Sequence, residues 1–146
     1  MKRRREWSVD ARDKPALLWA VLSAFVDQAR ISLEGDLQQF GFLDRADASL
    51  QETKVLRRIT SNPVRDFVVL PVTADVVLSL KSALGRADVF TPMGALEHVL
   101  VECQGNLVYA ATDNFEQGFT GVWEPLDEVF LERLRSSGVV RSYTAA

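Results

Sequence analysis

The chain has 146 residues, of which 47% are apolar and 25% charged, and its net charge is −3. This length and composition are typical of one globular domain and exclude disordered, collagen-like and disulfide-rich proteins. The single cysteine, Cys103, excludes a disulfide framework and a cysteine zinc cage within one chain. The longest apolar stretch has only 11 residues (16–26), which is too short for a bilayer-spanning helix. A cytoplasmic protein without membrane contact is therefore expected.

The first residues of the chain are basic, because positions 2–5 read Lys-Arg-Arg-Arg. Glu6 and Asp10 interrupt any apolar segment that a signal peptide would need. Residues 1–12 are therefore predicted to be a basic N-terminal tail or first turn, and residues 13–146 to form a single domain.

Three helices are predicted from apolar residues at helical spacing and from typical capping residues. Asp13 caps the first, which carries Lys14 and Pro15 in its first turn. Thr73 caps the second, over residues 74–84, and Pro125 opens the third.

The other patterned segments alternate between apolar and polar residues or are rich in β-branched residues, as strands are. The predicted strands span residues 30–37, 53–60, 66–72, 96–103, 107–112, 119–123 and 139–143. Residues 41–51 and 86–94 are predicted to be irregular, and the final strand to lie at an edge. This order favours an α+β domain, in which about three helices pack on a largely antiparallel sheet.

No local catalytic or metal-binding motif occurs in the chain. His98 and Cys103 are predicted to face opposite sides of one strand, so they cannot form a nucleophile pair or share a metal. Glu34 and Asp36 are predicted to project about 7 Å apart from one side of a strand, where Arg57 and Arg58 could pair with them across the sheet. An acid pair at this spacing is also typical of a solvated strand face. We predict no catalytic residue, metal or cofactor.

The clearest functional signal is the segregation of charge along the chain. Residues 87–132 contain nine acids but no Lys or Arg, whereas about five bases would be expected there from the average composition. The remaining residues hold all 17 bases and 11 acids. With this balance and no aromatic residues among the basic ones, nucleic-acid binding is not expected.

A surface built from this base-free segment would attract a positively charged protein. Phe115 and Trp123 could supply its apolar anchors. The alternative is that its acids only solubilise the strands and favour the start of a helix. The predicted partner-binding residues are Glu97, Glu102, Asp113, Phe115, Glu116, Trp123, Glu124, Asp127 and Glu128.

The chain resembles the immunity proteins of bacterial toxin systems, such as those of contact-dependent growth inhibition. The resemblance lies in its small, acidic, α+β character and in two segments, RISLEGDL (30–37) and FLERLRSSGVVRSY (130–143). It implies an acidic surface that occludes the basic cleft of a cognate toxin, which is typically a nuclease. Two other functions are alternatives: an enzyme with a non-local site of Glu34, Asp36 and His98, or a structural or regulatory subunit that dimerises through its terminal edge strand.

Overall fold

Seven strands form one antiparallel sheet in the computed structural model, which describes residues 4–85, 89–91, 93–116 and 118–146. The strands are β1 (Glu6–Ala11), β2 (Ala29–Gly35), β3 (Asp66–Pro71), β4 (Leu96–Cys103), β5 (Asn106–Ala111), β6 (Thr120–Trp123) and β7 (Val140–Ala145). The predicted α+β class and antiparallel sheet are confirmed. The predicted irregular connection over 86–94 lies partly outside the described residues. Lys2, Arg3 and Asp88 lie wholly outside them.

Within the described ranges three α-helices accompany the sheet: α1 (Lys14–Ala24), α2 (Ala74–Leu84) and α3 (Glu128–Ser136); two single-turn 3-10 helices, Gln38–Phe40 and Phe42–Asp44, follow β2. Asp13 and Thr73 cap α1 and α2 as predicted, because each side-chain oxygen accepts a hydrogen bond from a backbone N–H three residues on. The third helix begins at Glu128 rather than at Pro125, since Asp127 is its cap and accepts from the N–H of Phe130. None of these helices, within the described ranges, has both the length and the apolar composition needed to cross a bilayer.

The strand order along the sheet is β3-β2-β4-β5-β6-β1-β7. The prediction of a tail over residues 1–12 is therefore wrong for β1, which pairs with β6 on one side and with β7 on the other. Trp7 and Val9 of this strand are buried in the core. This strand was not predicted, because basic residues precede it and it has only two large apolar positions. β7 lies at the edge of the sheet, as predicted.

The helices cover one face of the sheet and enclose the main core. Buried side chains there include Leu18, Val21, Leu80 and Leu131 from the helices, together with Ile31, Leu33, Val68, Val101 and Tyr109 from the strands. Burial of these side chains is the main stabilising contribution to the fold.

An irregular segment, residues 45–65, covers the other face of β2, β3 and β4. We call it the covering loop. Leu56 is fully buried against Phe67, Val69 and Leu100. The predicted strand over 53–60 is wrong, because the Thr53 hydroxyl oxygen accepts hydrogen bonds from the N–H groups of Val55 and Leu56 and turns the chain.

Candidate functional site

The predicted partner-binding acids do not form one surface. Glu97, Asp113 and Glu116 lie where β4 begins and β5 ends, whereas Glu124, Asp127 and Glu128 follow the last residue of β6. Neighbouring antiparallel strands place these two groups at opposite ends of the sheet. The single contiguous surface predicted from the base-free segment is therefore wrong.

At the second of these ends, arginines from the start of the chain accompany the acids. The Glu124 carboxylate accepts a hydrogen bond from the Arg5 N–H at 2.8 Å, and its backbone carbonyl accepts one from Arg4. The Arg5 guanidinium also lies 3.7 Å from the Glu128 carboxylate. The half-buried Trp123 sits beside them. Because β1 is inserted next to β6, the base-free segment receives its bases from residues more than 100 positions away.

Two further predicted contact residues are unavailable to a partner. Glu102 is only 3% exposed, and its carboxylate pairs with the Arg30 guanidinium at 2.8 Å. Phe115 is only 2% exposed, and its ring packs against Phe90 with 4.7 Å between centroids. Its prediction as an exposed anchor is therefore wrong, because it completes the core.

The remaining predicted acids, Glu97, Asp113 and Glu116, lie at the same end of the sheet as acids from other parts of the chain. Gly35 pairs with Asp66 across β2 and β3, and Asp36 follows directly at the same end of the sheet. We call the five carboxylates gathered there the acidic end; they belong to Asp36, Asp66, Glu97, Asp113 and Glu116.

Two arginines of the covering loop temper this negative charge. The Arg65 guanidinium lies 3.1 Å from the Glu97 carboxylate, and Arg58 donates a hydrogen bond to the Arg65 carbonyl. The Asp66 carboxylate also accepts a hydrogen bond from the backbone N–H of Leu37 at 3.0 Å. The exposed acids here with no ion pair among the described residues are Asp36, Asp113 and Glu116.

Two adjoining depressions open beside Asp36 at the acidic end. One, of about 370 Å³, is lined by Asp36, Arg65, Glu97 and Asn114 among others. The other, of about 410 Å³, shares Asp36, Met93, Gly94 and Ala95 with the first. Met93 is 96% exposed, so an adaptable apolar side chain stands at the rim of an acidic cleft.

A run of left-handed backbone shapes this cleft. Asp113, Asn114 and Phe115 have φ values of 50°, 58° and 63°. Consecutive left-handed residues other than glycine are costly, and such strain concentrates at functional sites. The Asn114 side chain holds the turn, since its Nδ2 donates to the carbonyls of Gly94 and Leu96 at 3.0 and 3.2 Å.

A bulge in β4 also contributes to the cleft. Glu34 pairs with His98 and Gly35 with Leu96, so Glu97 is an extra residue without a partner on β2. Bulges re-aim side chains and are frequent beside functional sites. Sequence reasoning missed Asp36, Met93 and Asn114 as members of this site; the Asp-Asn pair, which tolerates left-handed backbone, was the available signal.

Glu34 and His98 do meet, as the enzyme alternative requires, but beneath the covering loop. Glu34 accepts from the N–H groups of Ile59 and Thr60 at 2.8 and 2.9 Å. His98 Nδ1 accepts from the Asp113 N–H at 3.1 Å, so Nε2 carries the ring proton and donates to the Thr60 hydroxyl at 2.8 Å.

Both carboxylate oxygens of Glu34 and both ring nitrogens of His98 are engaged in these contacts. Both side chains are buried, at 2% and 5% exposure, whereas Asp36 is exposed in the cleft beyond the end of β2. The two acids therefore do not project from one strand face. Glu34 and His98 form a buried polar layer that attaches the covering loop to β2 and β4.

Among the described residues, no three His, Cys, Asp or Glu side chains are grouped to hold a metal ion. Cys103 is buried on the helix-covered face, opposite His98, as predicted. Of the sites described, the acidic end alone combines exposed carboxylates with a cleft, which is lined by Asp36, Glu97, Arg65 and the exposed thioether of Met93. No family model, curated protein or solved structure matches the chain.

Proposed function

We propose that the protein is a binding module that recognises a basic protein partner through its acidic end. The partner is a bacterial toxin, typically a nuclease, which this chain neutralises in the cytoplasm as an immunity protein does. The observation that carries the proposal is the gathering of five carboxylates from three separate parts of the chain at one end of the sheet, where Asp36 and Glu97 line a cleft.

The charges of the acidic end suit this role. Exposed carboxylates steer a positive partner toward the surface and raise the association rate. Asp113 is held by the left-handed turn and by its N–H bond to His98, so its position is set before binding. Met93 adds an apolar contact at the rim that can adapt to the partner.

The proposal is tested with the polypeptide encoded next to the gene for this chain. Its expression should arrest growth, and coexpression of this chain should restore growth. The purified pair should bind with an association rate that falls steeply between about 0.05 and about 0.3 M NaCl. We expect the triple variant Asp36→Asn, Asp113→Asn, Glu116→Gln to slow association about tenfold at the lower salt.

Asp27→Asn is the matched control for Asp113→Asn. Both aspartates are exposed and have left-handed backbone, with φ of 66° and 50°, but Asp27 precedes β2 and lies at the opposite end of the sheet. Asp27→Asn should leave the association rate unchanged. Absence of protection, or binding that ignores both salt and the triple variant, would refute the proposal.

A further inference from the structure

The two edges of the sheet are protected to different degrees. At the β3 edge, Ser49 exchanges two backbone hydrogen bonds with Val69, at 2.9 and 2.8 Å. Pro71 also offers no N–H at that edge. Both devices prevent another strand from pairing with β3.

The β7 edge has no such cover among the described residues. The Ala146 N–H donates to the Glu6 carbonyl at 3.0 Å. Hydrogen-bonded pairs alternate along an antiparallel ladder, so Thr144 bonds inward to Ser8 while the backbone groups of Tyr143 and Ala145 point outward. A further strand can therefore add to β7.

A groove lies beside this open edge, between β7 and α3. It has a volume of about 470 Å³ and is lined by Glu128, Val129, Glu132, Arg133, Ser136 and Tyr143. Val129 is 65% exposed, which is unusual for a valine on a helix that packs on a core. The open strand and the apolar groove form one continuous surface, which we call the β7 surface.

The charges on α3 are complementary to those of a second, reversed copy. Glu128 and Glu132 lie in its first half, and Arg133 and Arg135 in its second half. Glu132 is charged at neutral pH, because the Arg135 guanidinium and then the Tyr143 hydroxyl hold its pKa below the ordinary value. A helix with this pattern attracts an antiparallel copy of itself.

We propose that the β7 surface binds a second copy of this chain. A two-fold axis beside β7 pairs each β7 with its copy in antiparallel fashion and joins the two sheets. The same axis sets the α3 helices antiparallel, with the glutamates of one facing the arginines of the other and Val129 covered. Such an interface is isologous and closes as a dimer.

The test is the mass of the full chain in solution, measured by light scattering from about 10 to about 500 µM. We expect the mass to rise toward twice the 16.3 kDa of the chain. Ala145→Pro removes an outward N–H without touching the β1 ladder and should weaken association at least about tenfold. Ala145→Ser keeps the N–H and is the matched control, with no change expected.

A charge exchange provides a second, independent readout. Glu128→Arg and Arg133→Glu should each weaken the dimer, and the double variant should restore it, because the attraction between copies is then rebuilt with opposite signs. A chain that stays monomeric throughout, or a dimer that none of these variants affects, overturns the proposal. If Ala145→Pro alters the circular dichroism spectrum, the charge exchange alone decides.

Discussion

At the scale of single residues, the Glu34 carboxylate joins the sheet to its covering loop. It is buried in β2 and accepts two backbone N–H groups of the loop, while His98 on the next strand bonds to Thr60. A buried carboxylate is tolerated only when hydrogen bonds replace the water it has lost. This side chain, which could be interpreted as part of a catalytic pair, instead holds a loop in place.

Replacing Glu34 by glutamine should therefore destabilise the protein. The amide keeps the shape but has one acceptor oxygen, so one loop N–H loses its partner and the other loses a charged acceptor. We expect the free energy of unfolding in urea to fall by about 2 kcal/mol.

The same exchange at Glu116, which is exposed, is the control and should change stability by less than about 0.5 kcal/mol. Equal effects at both positions would contradict the role of Glu34.

At the scale of elements, the covering loop behaves as a second layer although it lacks regular structure. Its principal apolar contact is Leu56, which is fully buried on Phe67, Val69 and Leu100. This small cluster closes the face that the helices leave open, so sheet strands that would otherwise be half-exposed are buried on both sides.

Leu56→Ala should loosen this layer. The cavity and the lost burial predict a loss of about 3 kcal/mol in the free energy of unfolding. Limited proteolysis should then cut first within residues 45–65, since the loop is held by few other apolar contacts.

Leu50→Ala changes the same side chain at a position that is 56% exposed and should have little effect on either measurement. If Leu56→Ala left both stability and the cleavage pattern unchanged, the loop would not be a packed layer.

At the scale of the whole molecule, the position of β1 between β6 and β7 explains the distribution of charge. β1 places Arg4 and Arg5 beside Glu124 and Glu128, so one end of the sheet carries both signs. The other end gathers five carboxylates, of which Asp36 and Glu97 line the cleft together with Arg65. The two proposed surfaces, the acidic end and the β7 surface, can therefore be tested independently.

The position of β1 also predicts that residues 1–12 cannot be removed. Their deletion would leave β6 and β7 without their common neighbour and would remove the buried Trp7. We expect the shortened chain to lose cooperative unfolding in urea.

Ser8→Ala, at an exposed position of the same strand, should unfold like the unmodified protein. A shortened chain of unchanged stability would mean that β1 is dispensable, as a tail would be.

The sequence by itself determined the α+β class, the caps at Asp13 and Thr73, and the β4–β5 hairpin, because each follows from signals a few residues apart. Only the tertiary structure decided the place of β1, the burial of Phe115 and Glu102, and the placement of Asp36 and Glu97 on one cleft. Those outcomes depend on strands paired across as many as 138 positions, such as Trp7 with Ala145, and no local pattern encodes such pairing. Charge along a chain is therefore a poor guide to charge on a surface once distant arginines fold back onto an acidic segment.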